Sequence, residues 1–175
     1  MALLSKRNSK KSRIHLAQVS LLGLLFSVSS VSVFTDILKC WIGNPRPDFL
    51  ARCGPSLETP LNTLVGIDVC TAPLGIKHLF DGLRSTPSGH SSMAFAGLFY
   101  VTLWCFSQFR ILSRVKYRAG LVIVASMPTL AAVYIALSRT QDYRHHFFDI
   151  AFGSLLGIVF AWFTHWKYRV VEVDQ

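Results

Sequence analysis

Two arginines, two adjacent histidines and two acids crowd into one short stretch, Ser138-Arg139-Thr140-Gln141-Asp142-Tyr143-Arg144-His145-His146-Phe147-Phe148-Asp149. Long apolar runs flank it on both sides, and titratable groups set against membrane-length apolar sequence are costly unless they serve a site. If a helix begins near His145, Asp149 falls one turn on, at i+4 from His145 and i+3 from His146. A carboxylate so placed can hold an imidazole in one tautomer and leave its other nitrogen free to attack or to carry a proton. Spacing alone leaves open which histidine that is. The arginines add fixed positive charge shaped for phosphate oxygens. The plain alternative is a polar loop between two helices, with histidines at a bilayer surface.

Two further clusters carry related chemistry. Lys39-Cys40-Trp41-Ile42-Gly43-Asn44-Pro45-Arg46-Pro47 offers a point charge and a planar fork. Pro87-Ser88-Gly89-His90-Ser91-Ser92 offers a glycine that lets backbone approach a ligand. Ser88-Gly89 at a helix start would present unpaired N–H groups to an anion, and the Ser88 hydroxyl could donate one more bond. Taken singly, each has a plainer reading. Lys39 can snorkel at a helix end, Pro45-Arg46-Pro47 can be a rigid turn, and Ser88 and His90 can be a helix cap and a surface histidine.

The elements that must position these clusters are membrane-like. The chain of 175 residues is 51% hydrophobic and 15% charged, with mean hydropathy +0.41. That fits one integral membrane domain, residues 1–175, better than a soluble one. Four apolar runs stand out, at about 16–38, 91–109, 119–137 and 147–166, predicting an all-α polytopic bundle. Each suits a hydrocarbon core about 30 Å thick. The first run is rich in serine (Ser20, Ser27, Ser29, Ser30, Ser32), which favours close helix packing. A cleavable signal peptide is the competing reading, but the run exceeds a usual signal core, so a retained span is preferred. Pro128 marks a kink in the third run, and Gly153 and Gly157 form a GxxxG pattern in the fourth. Residues 39–87, with six prolines, read as a long irregular loop, which in a compact domain is functional or disordered.

Charge sets the orientation. The segments 1–15, 110–118 and 167–175 hold Lys6, Arg7, Lys10, Lys11, Arg13, Arg110, Arg114, Lys116, Arg118, Lys167 and Arg169, but only two acids, Glu172 and Asp174. By the positive-inside rule both termini are cytoplasmic. The net charge of +9 lies in the gaps between apolar runs, which argues against a nucleic-acid partner. Alternation of spans then puts all three clusters on one non-cytoplasmic face, where Lys39, Arg46 and Arg139 meet His90 and His145. The loop cysteines Cys53 and Cys70 would face an oxidising compartment and are expected to pair. No cysteine spacing matches a metal site.

Together the three clusters resemble the signature of the type 2 phosphatidic acid phosphatase superfamily. The pattern is Lys39, six residues, Arg46-Pro47; then Pro87-Ser88-Gly89-His90; then Ser138-Arg139, five residues, His145, three more, Asp149. The text around it, Arg46-Pro47-Asp48-Phe49-Leu50 and Asp81-Gly82-Leu83-Arg84-Ser85, is similar to the fungal and plant lipid phosphate phosphatases, including those of diacylglycerol pyrophosphate. The likeness runs from about Leu16 to Trp166. It implies that His145 is the nucleophile, that Asp149 orients it, and that His90 protonates the leaving oxygen and later activates water. It implies that Lys39, Arg46, Ser88, Gly89 and Arg139 hold the phosphate, without a metal. The implied partners are a lipid phosphate substrate and membrane lipids; a homo-oligomer is left open.

The resemblance has one departure. Family members have six spans, two of them ahead of the lysine motif, whereas one precedes it here, so the chain reads as truncated or as a short form. Two rival functions follow. One is a catalytically impaired membrane protein that binds lipid or a partner. The other is a vanadium haloperoxidase-like enzyme, against which four membrane-length runs argue.

Overall fold

A computed structural model of the chain describes residues 2–60, 62–109 and 119–168, with side chains from Arg13 onward. Among these residues the regular structure is helical, apart from one isolated bridge between Pro55 and Cys70. Three helices are long and apolar enough to cross a membrane: the Arg13–Ile42 part of α1 (Ala2–Ile42), α6 (Ala119–Gln141) and α7 (Phe147–Tyr168). A polytopic helical bundle is the architecture expected. The basic segment 110–118 and the tail beyond Tyr168 lie outside the described residues, as do the side chains of Lys6, Arg7, Lys10 and Lys11.

The helix ends differ from the apolar runs in ways that matter for the site. α1 continues past Leu38 to Ile42, so Lys39 projects from its last turn. Gly43 stops it, with φ +63° and its N–H closing on the Lys39 carbonyl at 3.4 Å. Left-handed backbone there suits glycine, and Pro45 just beyond bars further helix. α6 likewise runs past Leu137, carries Ser138 and Arg139 in its last turn, and passes Pro128 without ending.

The second run is not one regular helix. α4 (Gly89–Ala94) passes into a π turn at Phe95–Phe99 and then into α5 (Tyr100–Gln108). Such a turn loosens the regular ladder and frees carbonyls for outside partners. Here the Ala96 carbonyl accepts the Ser27 hydroxyl at 3.0 Å, with Phe95 and Ala96 buried.

α1 turns Gly23, Ser27, Val31 and Thr35, at steps of four, into the bundle, where all are buried. Its serines do pack helices together. Ser20 accepts Tyr100 Oη on its carbonyl at 3.1 Å and Trp104 Nε1 on its hydroxyl at 2.9 Å. Thr35 Oγ1 lies 2.8 Å from Ser92 Oγ. Ser29, by contrast, is exposed and bonds its own helix at the Phe26 carbonyl. The two glycines of α7 bring backbones closer still. A Cβ at Gly153 would sit 2.5 Å from the Ser88 carbonyl oxygen, and one at Gly157 would overlap the Ser92 carbonyl oxygen. Small residues allow that approach where lipid supplies no hydrophobic drive between helices. Beside this seam, Phe95, Ala132, Ala136 and Ile150 form the buried core.

The long loop is folded. It contains α2 (Phe49–Cys53), a 3-10 turn at Ile67–Val69 and α3 (Ile76–Asp81). Cys53 and Cys70 are disulfide-bonded, as expected, with Cα atoms 4.6 Å apart. Arg52, 3% exposed, is gripped by Asp48 at 2.9 Å, by Asp81 at 3.0 Å and by the His78 carbonyl at 3.1 Å.

Candidate active site

Backbone hydrogen bonds stitch the three clusters together. Arg46 N–H reaches the Gly82 carbonyl at 2.7 Å, and Ser85 N–H reaches the Asn44 carbonyl at 2.9 Å. Ser88 N–H reaches the Asp149 carbonyl at 2.9 Å. The first cluster is thus tied to the second, and the second to the third.

They enclose a cavity of about 610 Å3 lined by Lys39, Arg46, His90, Arg139, Asp142, Arg144 and His145. Five of the eight residues picked from the sequence line it directly. Asp149 is fully buried beside His145. Gly89 is buried against the lysine, since a Cβ on it would lie 3.3 Å from Lys39 Nζ. Ser88 is buried as well, but it does not offer the free N–H expected of it. That group is donated to Asp149, and its hydroxyl oxygen accepts from Ser91 Oγ at 3.0 Å. The cause is the Gly153 contact, which seats Ser88 directly on α7.

The two neighbouring histidines part company. His145 is 4% exposed and faces the cavity. His146 is exposed, with Nε2 3.3 Å from the Pro45 carbonyl oxygen. Its backbone N–H donates to Asp149 Oδ2 at 2.8 Å. That is the acid half of a capping box, with a carboxylate at the positive end of α7.

Asp149 does not grip His145 directly. Nδ1 and Oδ2 are 3.9 Å apart, beyond hydrogen-bond reach. Ser85 stands between them, its Oγ 2.5 Å from Asp149 Oδ2 and 3.3 Å from His145 Nδ1. The other carboxylate oxygen takes the Thr86 hydroxyl, which itself accepts the Asn44 side-chain amide at 2.9 Å.

Burial, then the charges of Arg46 and Lys39, push the His145 imidazole down to about 4 against the opposing pull of Asp149. It is therefore neutral at pH 7, with a lone pair available. His90, one residue ahead of the second apolar run, is also held below its ordinary value, by burial and then by Arg139, Lys39 and Arg46. The arginines are braced by acids: Arg46 by Asp81 at 3.0 Å and Arg139 by Asp142 at 3.0 Å, while Arg144 comes within 4.0 Å of Asp48. Arg46 Nε is buried with no hydrogen-bond partner.

Sequence reasoning missed Ser85, Asp142 and Asp81 as parts of this site, and credited the arginines of the opening stretch with phosphate-shaped charge without placing Arg144 among the phosphate-holding residues. Arg144 and Asp142 sat within the opening cluster, and Asp81 and Ser85 within the flanking text. Among the described residues, no group of three or more His, Cys, Asp or Glu side chains gathers in a metal-ligating arrangement.

Membrane-length helices bundled around a cationic, histidine-bearing cavity define the class, a polytopic helical membrane protein. The chain belongs to the PAP2 superfamily, whose family model matches residues 20–171. It is 48% identical over 159 residues to diacylglycerol pyrophosphate phosphatase 1 of Saccharomyces cerevisiae, covering 89% of this chain and 53% of that protein. It is 44% identical over 146 residues to a probable diacylglycerol pyrophosphate phosphatase 1 of Schizosaccharomyces pombe, covering 83% and 52%. Lipid phosphate phosphatase 2 of Arabidopsis thaliana is 36% identical over 149 residues, covering 85% and 50%. The chain thus spans about half the length of these curated relatives. No solved structure matches it significantly.

Proposed function

We propose that this chain forms the catalytic part of a membrane lipid phosphate phosphatase that works through a phosphohistidine and needs no metal. The observation that carries this reading is one cavity in which a buried, neutral His145 meets Lys39, Arg46 and Arg139, with His90 also in its lining. Family membership and the names of its relatives support the substrate class, a phosphatidate-like monoester or diacylglycerol pyrophosphate.

The His145 lone pair attacks phosphorus, the bond to the lipid oxygen breaks, and that oxygen takes a proton from His90. His90 then removes a proton from water, the water oxygen attacks the phosphohistidine, and inorganic phosphate leaves His145 free. Lys39, Arg46 and Arg139 neutralise the transferring oxygens throughout, the main work of phosphoryl-transfer catalysis. A phosphate dianion beside His90 would offset the charges of Arg139, Lys39 and Arg46 and raise its proton affinity towards the value a proton donor needs. Ser88 and Gly89 complete the wall behind Lys39. Splitting the reaction through a covalent intermediate suits phosphate monoesters, whose uncatalysed hydrolysis is among the slowest known.

In this reading the apolar run at about 91–109, broken by its π turn, is a fourth span, and the cavity opens on the non-cytoplasmic side. A headgroup there meets the site while its acyl chains stay in the bilayer. Burying so many charges at mid-membrane would cost roughly 2.5–3.5 kcal/mol for each. Purified protein assayed with dioleoyl phosphatidate and with diacylglycerol pyrophosphate tests this. Phosphate release that persists in EDTA is expected; release abolished by EDTA and restored by magnesium would count against metal independence. Binding without release would point to a lipid-binding protein instead.

A further inference from the structure

Resting on that phosphatase reading, we propose that Ser85 is a positioning residue. Its hydroxyl couples the Asp149 carboxylate to Nδ1 of His145 and so points Nε2 at the substrate phosphorus. Ser85 is fully buried, and it comes from a different segment of the chain than the two groups it joins. Asp149 and His145 stand 3.9 Å apart, so no direct bond fixes the ring.

A hydroxyl has one proton to give and lone pairs to receive with. The 2.5 Å contact with a carboxylate commits the Ser85 proton to Asp149 Oδ2. Towards His145 the Ser85 hydroxyl therefore offers only a lone pair, beside a Ser85 backbone contact that also favours a protonated ring nitrogen, and the 3.3 Å contact calls for a proton on Nδ1. The bare nitrogen is then Nε2. Asp149 is already supplied by three donors, the hydroxyls of Ser85 and Thr86 and the backbone N–H of His146. It has no need of the imidazole itself. The end of the first span sets Ser85 in place, since the Ser85 N–H donates to the Asn44 carbonyl at 2.9 Å. No bond to Ser85 is made or broken in turnover. When Nε2 is phosphorylated the ring gains positive charge, the proton stays on Nδ1, and the chain of bonds to Asp149 stabilises that charge.

The test uses the full chain in detergent micelles with 15N-labelled histidine, the His145 signals being assigned by their loss in His145→Gln. Wild type should show a protonated Nδ1 and a bare Nε2, and S85A should shift the population towards the other tautomer. With dioleoyl phosphatidate, S85A should lower kcat by about 10-fold to 100-fold, as when the orienting partner of a metal-bound imidazole is removed, with KM little changed. S85T keeps the hydroxyl and should recover most of the rate. D149N and S85A/D149N should be equally slow, because both cut one chain of bonds and coupled losses do not add. A wild-type kcat in S85A, losses that multiply in the double variant, or a wild-type ring protonated on Nε2 would each overturn the proposal. Should S85A fail to fold, the wild-type tautomer decides. If wild type releases no phosphate from any lipid phosphate, the phosphatase reading falls, and the tautomer still decides the role of Ser85.

Discussion

Asp81 holds Arg46 at the cavity wall, Oδ1 to NH2 at 3.0 Å, while its Oδ2 holds the buried Arg52 at the same distance. The loop carboxylate thus braces a cavity cation against the folded loop. Asp81 is half exposed, so the bond adds little to stability and more to placement. Asp81→Asn should raise KM for lipid phosphate about fivefold, near the 1 kcal/mol upper range of an exposed ion pair, with kcat less affected. Steady-state kinetics on both variables checks this; an unchanged KM would mean Arg46 holds its place unaided.

His145→Ala should abolish both phosphoenzyme and turnover, whereas His146→Ala, which loses only an exposed contact with Pro45, should keep appreciable activity. His90→Ala should slow turnover by about 100-fold to 10,000-fold, the span of general acid–base catalysis. Trapping of acid-labile phosphoenzyme separates the three. Reversed effects at 145 and 146 would displace the nucleophile by one residue.

The neutral His145 also makes stability depend on pH. Its folded value of about 4 lies below its ordinary 6.5, so between these limits the unfolded chain binds more protons. The contribution is fully present above about pH 6.5 and is lost as pH falls towards 4. Melting in micelles should therefore drop more steeply over that range for wild type than for His145→Gln, which has no proton to gain. Parallel curves would show that the site does not hold the ring neutral.

Reducing the Cys53–Cys70 bond opens a loop of sequence separation 17, worth about 3 kcal/mol in chain-entropy terms. Because Cys53 adjoins Arg52, the loss should reach Arg46 through Asp81. Cys53→Ser/Cys70→Ser should lower the melting temperature and raise KM together, and a change in melting alone would uncouple loop from site.

Topology has its own measurement. Ser85 is fully buried and cannot serve as a reporter. Thr63 is exposed. With Cys40 and Cys105 replaced and the disulfide kept, cysteines at Thr63 and Ser113 should react with an impermeant reagent from opposite sides of sealed vesicles. Labelling from one side would remove the four-span arrangement and its shared face.

What could be read from the chain followed from residue chemistry and from counting spans. Lys39, Arg46, His90, Arg139 and His145 carry charge or titrate, and the alternation of apolar runs puts them on one side. Ser85 was invisible on those terms, since a serine has no charge and its value lies in standing between groups 60 and 64 positions away. The π turn was hidden for a similar reason. Phe95–Phe99 is apolar like any span, and what accompanies its altered ladder is Ser27 on another helix. Arg144 was seen, but a cation beside two histidines reads equally well as loop charge until a cavity is drawn around it.

Gly153 and Gly157 leave the backbone of α7 resting on the carbonyls of Ser88 and Ser92. Side chains yield to sideways pressure by changing rotamer; a peptide plane does not. Membranes differ in thickness and squeeze the proteins within them. That squeeze falls first on outward side chains such as Leu25, Ile123 and Leu155. At Gly153 and Gly157 the Asp149 helix meets the His90 helix backbone against backbone, so the spacing of the two helices should vary little with the thickness of the surrounding lipid.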